Sequence, residues 1–247
     1  MNDTKKNKFK ILEVKDKSDK FVVEKDKIFD VSFRILLVMR SGGGKSNLIV
    51  NFFRDEFYGK DFFGDDITIV SPMINDNKLE NLILFKQIPD DNVITEFDTD
   101  ILEAWYDKNT EEFKERVEAG KKPFNKIIII DDFSFSGKLR EGQFNIINKI
   151  FCNGRKHNIS IILTSQFYNH ILPSCRSQAT GIIIGNQSDR QLDIISDDNN
   201  FLKNKKEFKT MFRKYVKEKH DFLVINYSNK KSEMYLDKNF NVITEFN

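Results

Sequence analysis

A glycine-rich run that ends in lysine and serine is the first stretch whose residue types suggest chemistry. Ser41-Gly-Gly-Gly-Lys-Ser46 lies between an apolar run at 35–38 and a segment, 48–53, with apolar residues at helical spacing. Amides of consecutive glycines can face inward because no Cβ blocks the approach, and a helix start adds partial positive charge. The order of strand, tight loop and helix therefore predicts a phosphate-binding loop.

The residues of this loop divide into three roles. The amides of the three glycines would surround the phosphates, Lys45 would reach the β and γ phosphates, and the Ser46 hydroxyl would ligate Mg²⁺. The predicted nucleotide-contacting residues are Ser41, Gly42, Gly43, Gly44, Lys45, Ser46 and Asn47.

One position departs from the usual phosphate-loop pattern. The pattern opens with a glycine four residues before its Gly-Lys-Ser ending, and Met39 holds that place here. A residue with a side chain must then make the first turn, which puts the geometry of the loop in question. The alternative interpretation is an ordinary glycine-rich turn before an amphipathic helix.

A pair of aspartates follows the most apolar run of the chain. Four consecutive isoleucines precede Asp131 and Asp132, and such a run is typical of a strand buried on both faces of a parallel sheet. Carboxylates at the C-terminal end of such a strand lie where these sheets bind ligands, and burying two of them requires a cation. We expect Asp131 to hold Mg²⁺ through water and Asp132 to polarise the attacking water. An Asx turn at a strand end is the alternative.

A second apolar strand, predicted over 159–166, also ends in polar side chains. Thr164 or Gln166 would sense the γ phosphate or orient water there. The alternative is a strand that simply reaches the surface.

The elements that position these residues follow from periodicity and turn signals. Residues 1–27 form a lysine-rich segment with a hairpin, and 28–247 form one domain. Within it we predict strands at 28–31, 33–38, 67–72, 93–97, 180–185, 222–227 and 233–236, the last two as a closing hairpin, and helices at 46–58, 101–119, 143–152, 187–199 and 202–219.

Composition excludes several classes of protein. Lysine and arginine total 40 against 38 acidic residues, so no global field indicates a nucleic-acid coat or a membrane-surface protein. Cys152 and Cys175 have no paired spacing and three histidines give no zinc pattern, so we expect buried, reduced thiols. The first ten residues are not apolar and no run approaches the roughly 20 apolar residues that span a bilayer. We expect a soluble, non-secreted protein.

The helix predicted over 202–219 is basic and contains aromatic residues, which suits tracking of DNA phosphates without base readout. A solvated helix face explains the pattern equally well. The loop 133–142, with Lys138 and Arg140, is the alternative DNA contact. The basic residues of the helix are Lys203, Lys205, Lys206, Lys209, Arg213, Lys214, Lys217 and Lys219, and its aromatic residues are Phe208, Phe212 and Tyr215.

The order of these motifs resembles the additional-strand P-loop ATPases. Within them the chain resembles the FtsK/HerA superfamily, most closely the genome-packaging ATPases of poxviruses, giant viruses and virophages. The resemblance covers roughly 28–186. The motifs that carry it are Phe33-Arg-Ile-Leu-Leu-Val, Ser41-Gly-Gly-Gly-Lys-Ser-Asn47, Ile-Ile-Ile-Ile-Asp131-Asp132, Asn153-Gly-Arg-Lys-His-Asn-Ile-Ser160, Thr164-Ser-Gln166 and Leu172-Pro-Ser-Cys-Arg176.

The resemblance implies an α/β fold: a mostly parallel, additional-strand sheet flanked by helices, with an antiparallel hairpin near each end. It also implies ATP and Mg²⁺ as cofactors, and hydrolysis that drives double-stranded DNA into a capsid. A homo-oligomeric ring, a pentamer or hexamer, would act at a capsid vertex, without a membrane. It would work in the host cytoplasm or virus factory, or in the virion.

Motors of this superfamily use an arginine from one subunit in the site of its neighbour. Arg155 is the first candidate because it precedes the sensor strand, and Arg176 is the second. A surface salt bridge is the alternative for either. Most members carry glutamate where this chain has Asp132, so the shorter acid places its oxygen further from the attacking water.

Two other functions share these motifs. One is a DNA helicase or conjugation-like motor of the same superfamily. The other is a nucleotide-binding vertex protein without turnover, in which Met39 has degraded the loop.

Overall fold

A single eight-stranded sheet forms the centre of the computed structural model, which describes residues 28–72, 77–132 and 145–246. The order across the sheet is β3-β2-β4-β5-β1-β6-β7-β8. The first six strands are mutually parallel, and β7 and β8 are antiparallel. The strands are β1 (Arg34–Val38), β2 (Ile67–Val70), β3 (Val93–Ile94), β4 (Lys126–Ile130), β5 (Ile159–Ser165), β6 (Gly181–Ile184), β7 (Leu223–Asn226) and β8 (Tyr235–Leu236).

Strand β5 lies between β1, which leads into the glycine-rich loop, and β4, which leads into the aspartate pair. Val38 is level with Ser165, and Ile130 is level with Leu163. The C-terminal ends of the three strands therefore meet at one side of the sheet, here called the carboxyl edge; the opposite side is the amino edge. This arrangement confirms the predicted mostly parallel sheet with an additional strand.

Helices cover both faces of the sheet because alternate residues of each apolar strand point to opposite sides. In β1, Leu36 and Val38 join the core under α3, α4, α6 and α7, whereas Ile35 and Leu37 join the core under α1 and α2. The helices are α1 (Lys45–Phe52), α2 (Asn77–Lys86), α3 (Thr99–Glu118), α4 (Ile146–Asn153), α5 (Pro173–Gln178), α6 (Asp189–Asn199) and α7 (Lys205–Tyr215).

The first helix is shorter than predicted, ending at Phe52 rather than near residue 58. Beyond it the backbone turns back, and the Tyr58 hydroxyl donates to Phe29 O (2.9 Å) and accepts from Phe29 N (2.8 Å). The prediction of a longer helix was wrong because this buried tyrosine is held against the segment before β1.

The structure confirms some of the other predicted elements and adds two helices. The helices expected over 101–119 and 187–199 are confirmed to within two residues, as is the antiparallel C-terminal hairpin. Helices α2 and α5 were not predicted. The hairpin expected within 1–27 lies outside the described residues. Among the helices of the described ranges, none has both the length and the hydropathy needed to cross a bilayer.

Both cysteines are free, as expected, but only Cys175 is buried. The expectation of burial was wrong for Cys152. The apolar stripe of α4 turns Ile147, Ile150 and Phe151 into the core, and this leaves Cys152 on the outer face of the helix.

Candidate nucleotide site

The loop 39–44 makes a tight turn between β1 and α1. Gly43 N donates to Arg40 O (3.0 Å), and Leu48 N donates to Gly44 O (2.9 Å) as the helix begins. Gly42 and Gly44 have φ values of 69° and 103°, in the left-handed region that residues with a Cβ rarely adopt. The N-cap is Gly44, which has no side chain to accept from the first-turn amides, so an anion can take that place.

Met39, at the position of the absent glycine, is compatible with this loop. Its φ is not positive, and its side chain is 1% exposed. A Cβ on Gly185, at the end of β6, would lie 2.7 Å from Met39 Cγ, so the methionine fills the space that this glycine leaves. The loop therefore closes without an opening glycine.

The Lys45 ammonium lies inside the loop that precedes it. Its Nζ donates to Met39 O (3.3 Å) and lies 3.9 Å from Asp132 Oδ2. The side chain is 9% exposed. A buried ammonium beside the loop glycines is placed to exchange these contacts for phosphate oxygens.

Asp131 is a buried carboxylate held by hydroxyl groups. Its backbone N donates to Val70 O (2.8 Å), which fixes it at the carboxyl edge. Thr164 Oγ1 donates to its Oδ1 (2.7 Å) and Ser71 Oγ to its Oδ2 (3.4 Å). Burial raises the pKa of Asp131, and the Thr164 hydrogen bond offsets part of that rise. The charge of Lys45 offsets a further part, and the pKa nevertheless stays raised.

Asp132 and Gln166 complete one connected polar cluster. Asp132 has φ 53°, and its N donates to Thr164 Oγ1 (3.0 Å). Gln166 Nε2 donates to Asp132 Oδ2 (2.9 Å). Since the Thr164 hydroxyl also bonds Asp131, a single side chain from β5 links both acids and fixes their relative position.

The structure therefore brings Lys45, Asp131, Asp132 and Gln166 together at the carboxyl edge. Ser46 lies in the first turn of α1, next to Lys45. Their individual roles stay predictions. Ser71, which also contacts Asp131, was missed by the sequence analysis. Its signal was present, since it is the polar residue that directly follows the β-branched strand β2, next to β4 in the sheet.

The residues available for Mg²⁺ are few but suitable. Within the described ranges no group of three or more His, Cys, Asp or Glu side chains is placed to hold a metal. Magnesium typically takes one or two carboxylates, and its remaining ligands are waters and substrate phosphates. Asp131, a buried carboxylate with a raised pKa, fits that requirement.

The two candidate arginines lie away from this cluster. Arg155 is in the turn Gly154–His157 before β5, and the seven residues of that strand span about 23 Å, so Arg155 lies at the amino edge. It is exposed and forms no ion pair with the residues that the structure describes. Arg176, in α5 before β6, pairs with Asp198 and lies 4.9 Å from the Tyr168 ring centroid. Arg155 is therefore too far from the cluster to serve the site of its own subunit.

The basic helix is partly neutralised inside the chain. Phe208 and Phe212 are buried in the core and are not displayed beside its cations. Lys138 and Arg140, the alternative contact, lie outside the described residues. Four cations of α7 form ion pairs, which are Lys205–Asp197, Lys209–Asp193, Arg213–Asp189 and Lys214–Glu245.

A family model described as poxvirus A32 protein matches residues 20–241. The genome-packaging NTPase B204 of Sulfolobus turreted icosahedral virus 2, in complex with AMPPCP, is similar in fold. It has 20% identity and a TM-score of 0.57, over 80% of this chain and 93% of that chain. The complex of B204 with AMP gives 18% identity and a TM-score of 0.60, over 83% and 96%.

A conjugation coupling protein shares the fold as well. The pCW3 conjugation coupling protein TcpA has 14% identity and a TM-score of 0.55, over 87% of this chain and 62% of that chain. No curated protein matches the chain at a significant level. The family match spans most of the chain. The chain belongs to the poxvirus A32 protein family and has the fold of the P-loop NTPases.

Proposed function

We propose that this chain hydrolyses ATP to move double-stranded viral DNA into a capsid. The observation that carries the proposal is the convergence of Lys45, Asp132 and Gln166 beside the loop glycines, with Lys45 Nζ 3.9 Å from Asp132 Oδ2. The family match and the packaging NTPase among the structural neighbours support the same function.

Each residue of the cluster has a defined task in this proposal. The loop amides and Lys45 bind the β and γ phosphates, and Ser46 and Asp131 hold Mg²⁺, Asp131 through water. When bound, Mg²⁺ neutralises charge on the phosphate oxygens. Asp132 orients the attacking water and accepts its proton, and Gln166 holds the Asp132 carboxylate in place at 2.9 Å.

Arg155 lies at the opposite edge of the sheet from the cluster of its own subunit, so the proposal includes a ring. In a homo-oligomer of five or six subunits, Arg155 of one subunit would enter the site of the next. Arg155 is favoured over Arg176 because Arg176 is already bound to Asp198. The ring would assemble at a capsid vertex, in the cytoplasm or virus factory of the infected cell.

Turnover of the purified chain with and without double-stranded DNA tests the proposal. We expect Mg-dependent hydrolysis that DNA stimulates, and a loss on the order of 10³-fold in Lys45→Ala because a phosphate contact of the transition state is removed. Full activity in Lys45→Ala would refute the site. Absence of hydrolysis in the wild type under both conditions would favour a structural vertex protein.

Mixed oligomers test the arginine. Arg155→Ala subunits, doped into wild type, should lower turnover more than their fraction, since an arginine finger contributes about 10³ to 10⁵ in rate. Turnover that falls only in proportion to the fraction of variant would exclude the finger role.

A helicase or conjugation-like motor remains the second candidate because TcpA shares the fold. Strand separation on a forked duplex discriminates the two. A packaging motor should translocate along duplex DNA without separating its strands.

A further inference from the structure

The turn 217–221, which joins α7 to β7, lies beside the phosphate loop. Strand β7 runs antiparallel to β6, so it starts at the carboxyl edge, where the parallel strands end. Val38 is level with Ile184 of β6, which in turn is level with Leu223 of β7. The residues before β7 are therefore about 10 Å across the sheet from the start of the loop.

Two side chains of this turn lie against the loop glycines. A Cβ on Gly42 would be 3.6 Å from both Cε and Nζ of Lys219, and a Cβ on Gly44 would be 3.5 Å from Nδ1 of His220. Both side chains are exposed. An ammonium and an imidazole thus stand at the mouth of a loop built to bind phosphate.

The turn is held in this position by Asp221, which is buried. Its Oδ2 accepts from Lys217 N (3.2 Å) and Glu218 N (2.9 Å), and its Oδ1 accepts from Lys238 Nζ (2.6 Å). The Lys238 hydrogen bond is the main cause that lowers the pKa of Asp221, so this anchor is charged at neutral pH. The two side chains are therefore presented from a turn that is already ordered.

Lys219 also differs from the cations of the preceding helix. Four of those are paired with carboxylates, whereas Lys219 forms no ion pair with any residue that the structure describes. An ammonium without a carboxylate partner, beside a phosphate loop, is suited to an anionic ligand.

The strand order decides which part of a nucleotide the turn faces. Asp132 and Gln166 follow β4 and β5, on one side of β1, and this is the side of the γ phosphate. Strands β6 and β7 lie on the other side of β1. The nucleoside end of a bound nucleotide therefore points toward the turn.

We infer that Lys219 and His220 of this turn form the second wall of the nucleotide site, with Lys219 contacting the α phosphate and His220 packing on the ribose. This inference rests on the proposed nucleotide binding and adds residues from the far end of the chain to it. It also assigns Lys219 to nucleotide rather than to DNA.

Equilibrium binding of ATP, ADP and inorganic triphosphate to the full chain, without DNA, tests the inference. Lys219→Ala should weaken all three by about 10-fold, the loss expected for one charge-assisted hydrogen bond. His220→Ala should weaken ATP and ADP but leave triphosphate unchanged. Lys217→Ala, which removes an exposed ammonium from the same turn, is the matched control and should bind all three like wild type.

Steady-state turnover distinguishes residues that only bind the nucleotide from residues that take part in hydrolysis. Lys219→Ala and His220→Ala should raise KM and leave kcat within about twofold, because contacts far from the γ phosphate are equal in ground and transition states. Lys219→Arg should recover affinity.

Wild-type affinity in both alanine variants, with nucleotide binding intact in the wild type, would overturn this inference and leave the proposed function standing. An equal loss in Lys217→Ala would also overturn it, since general charge would then explain the effect. Failure of the wild type to bind nucleotide would overturn both.

Discussion

Strand β4 begins with the charged residue Lys126 and is followed by the charged residue Asp131. The two residues differ in whether the fold pairs them with an opposite charge. At its start, Lys126 Nζ lies 3.0 Å from Asp66 Oδ1 and 3.7 Å from Glu112 Oε2, and the Lys126 and Asp66 side chains are only 13% and 9% exposed. Immediately after its end, Asp131 accepts hydrogen bonds from Ser71 and Thr164. Its charge has no directly contacting cation among the described residues.

The difference distinguishes an acid that is paired with a cation inside the fold from an acid that burial leaves with a raised pKa. The pair at the amino edge is neutralised by the chain itself and holds α3, β2 and β4 together. At the carboxyl edge the chain supplies hydroxyls, which position Asp131 but do not neutralise it, and burial raises its pKa. A buried carboxylate with a raised pKa is a candidate for binding a cation, so the difference supports the proposed Mg²⁺ site at Asp131.

The largest expected effect tests the chemistry at the carboxyl edge. Asp132→Asn keeps the shape of the side chain and removes the base, so kcat should fall by about 10² to 10⁴ with nucleotide affinity nearly unchanged. Steady-state turnover and nucleotide binding measure the two quantities. A kcat within threefold of wild type would show that another group accepts the proton.

The next effect tests the amino edge. Asp66→Asn leaves Lys126 buried with only Glu112 nearby, and breaking a buried pair should lower the free energy of unfolding by about 3 kcal/mol. Thermal melting should show a fall of roughly 6–12 °C. An unchanged melting temperature would mean that this pair is solvated and that the comparison fails at this end.

A smaller effect of opposite sign is expected for Asp131→Asn. The amide can still accept from Thr164 but carries no charge to desolvate, so the nucleotide-free protein should melt higher, by roughly 2–4 °C for each kcal/mol relieved. Hydrolysis should be lost at the same time. A lower melting temperature would indicate that the Asp131 charge is already compensated in the fold.

The smallest expected effect is the pH dependence of the rise in melting temperature of Asp131→Asn. The folded pKa of Asp131 is raised above its ordinary value of 3.8, so the wild type is penalised only where the carboxyl is ionised. The contribution of the protonated Asp131 carboxyl to the stability of the wild type is fully present below pH 3.8. It is lost as the pH rises through the raised pKa of the folded state. The advantage of Asp131→Asn, followed by melting at a series of pH values, should therefore shrink toward acid pH. An advantage independent of pH would assign it to packing.

Much of the fold and the core of the candidate site could be predicted because the signals are local. The apolar runs of β1 and β4 and the residues that follow them are contiguous, and parallel strands bring such ends together. The length of α1 was not predictable, because the hydrogen bonds between Tyr58 and Phe29 join residues 29 positions apart.

Two of the remaining differences also arise from contacts between residues far apart in sequence, whereas the missed helix α2 reflects its local pattern. The cations of α7 were interpreted either as a DNA-tracking surface or as a solvated face, but three of them pair with acids on α6. The partner of Arg213, for example, is Asp189, which lies 24 residues earlier. Helix α2 was missed because Leu84 and Phe85 are exposed beside the buried Leu82, so its apolar residues do not form one stripe. The nearness of Lys219 to Gly42 depends on the direction of β7, which composition does not reveal.

The contact between Met39 and Gly185 has a consequence for descent. Because the methionine occupies the volume beside a residue without a Cβ, the two positions are free to change only together. A relative that carries glycine at the position of Met39 can accept alanine or serine at the position of Gly185, whereas a relative that keeps a large residue at the first must keep glycine at the second. The sizes of the side chains at these two positions should therefore vary inversely across the family.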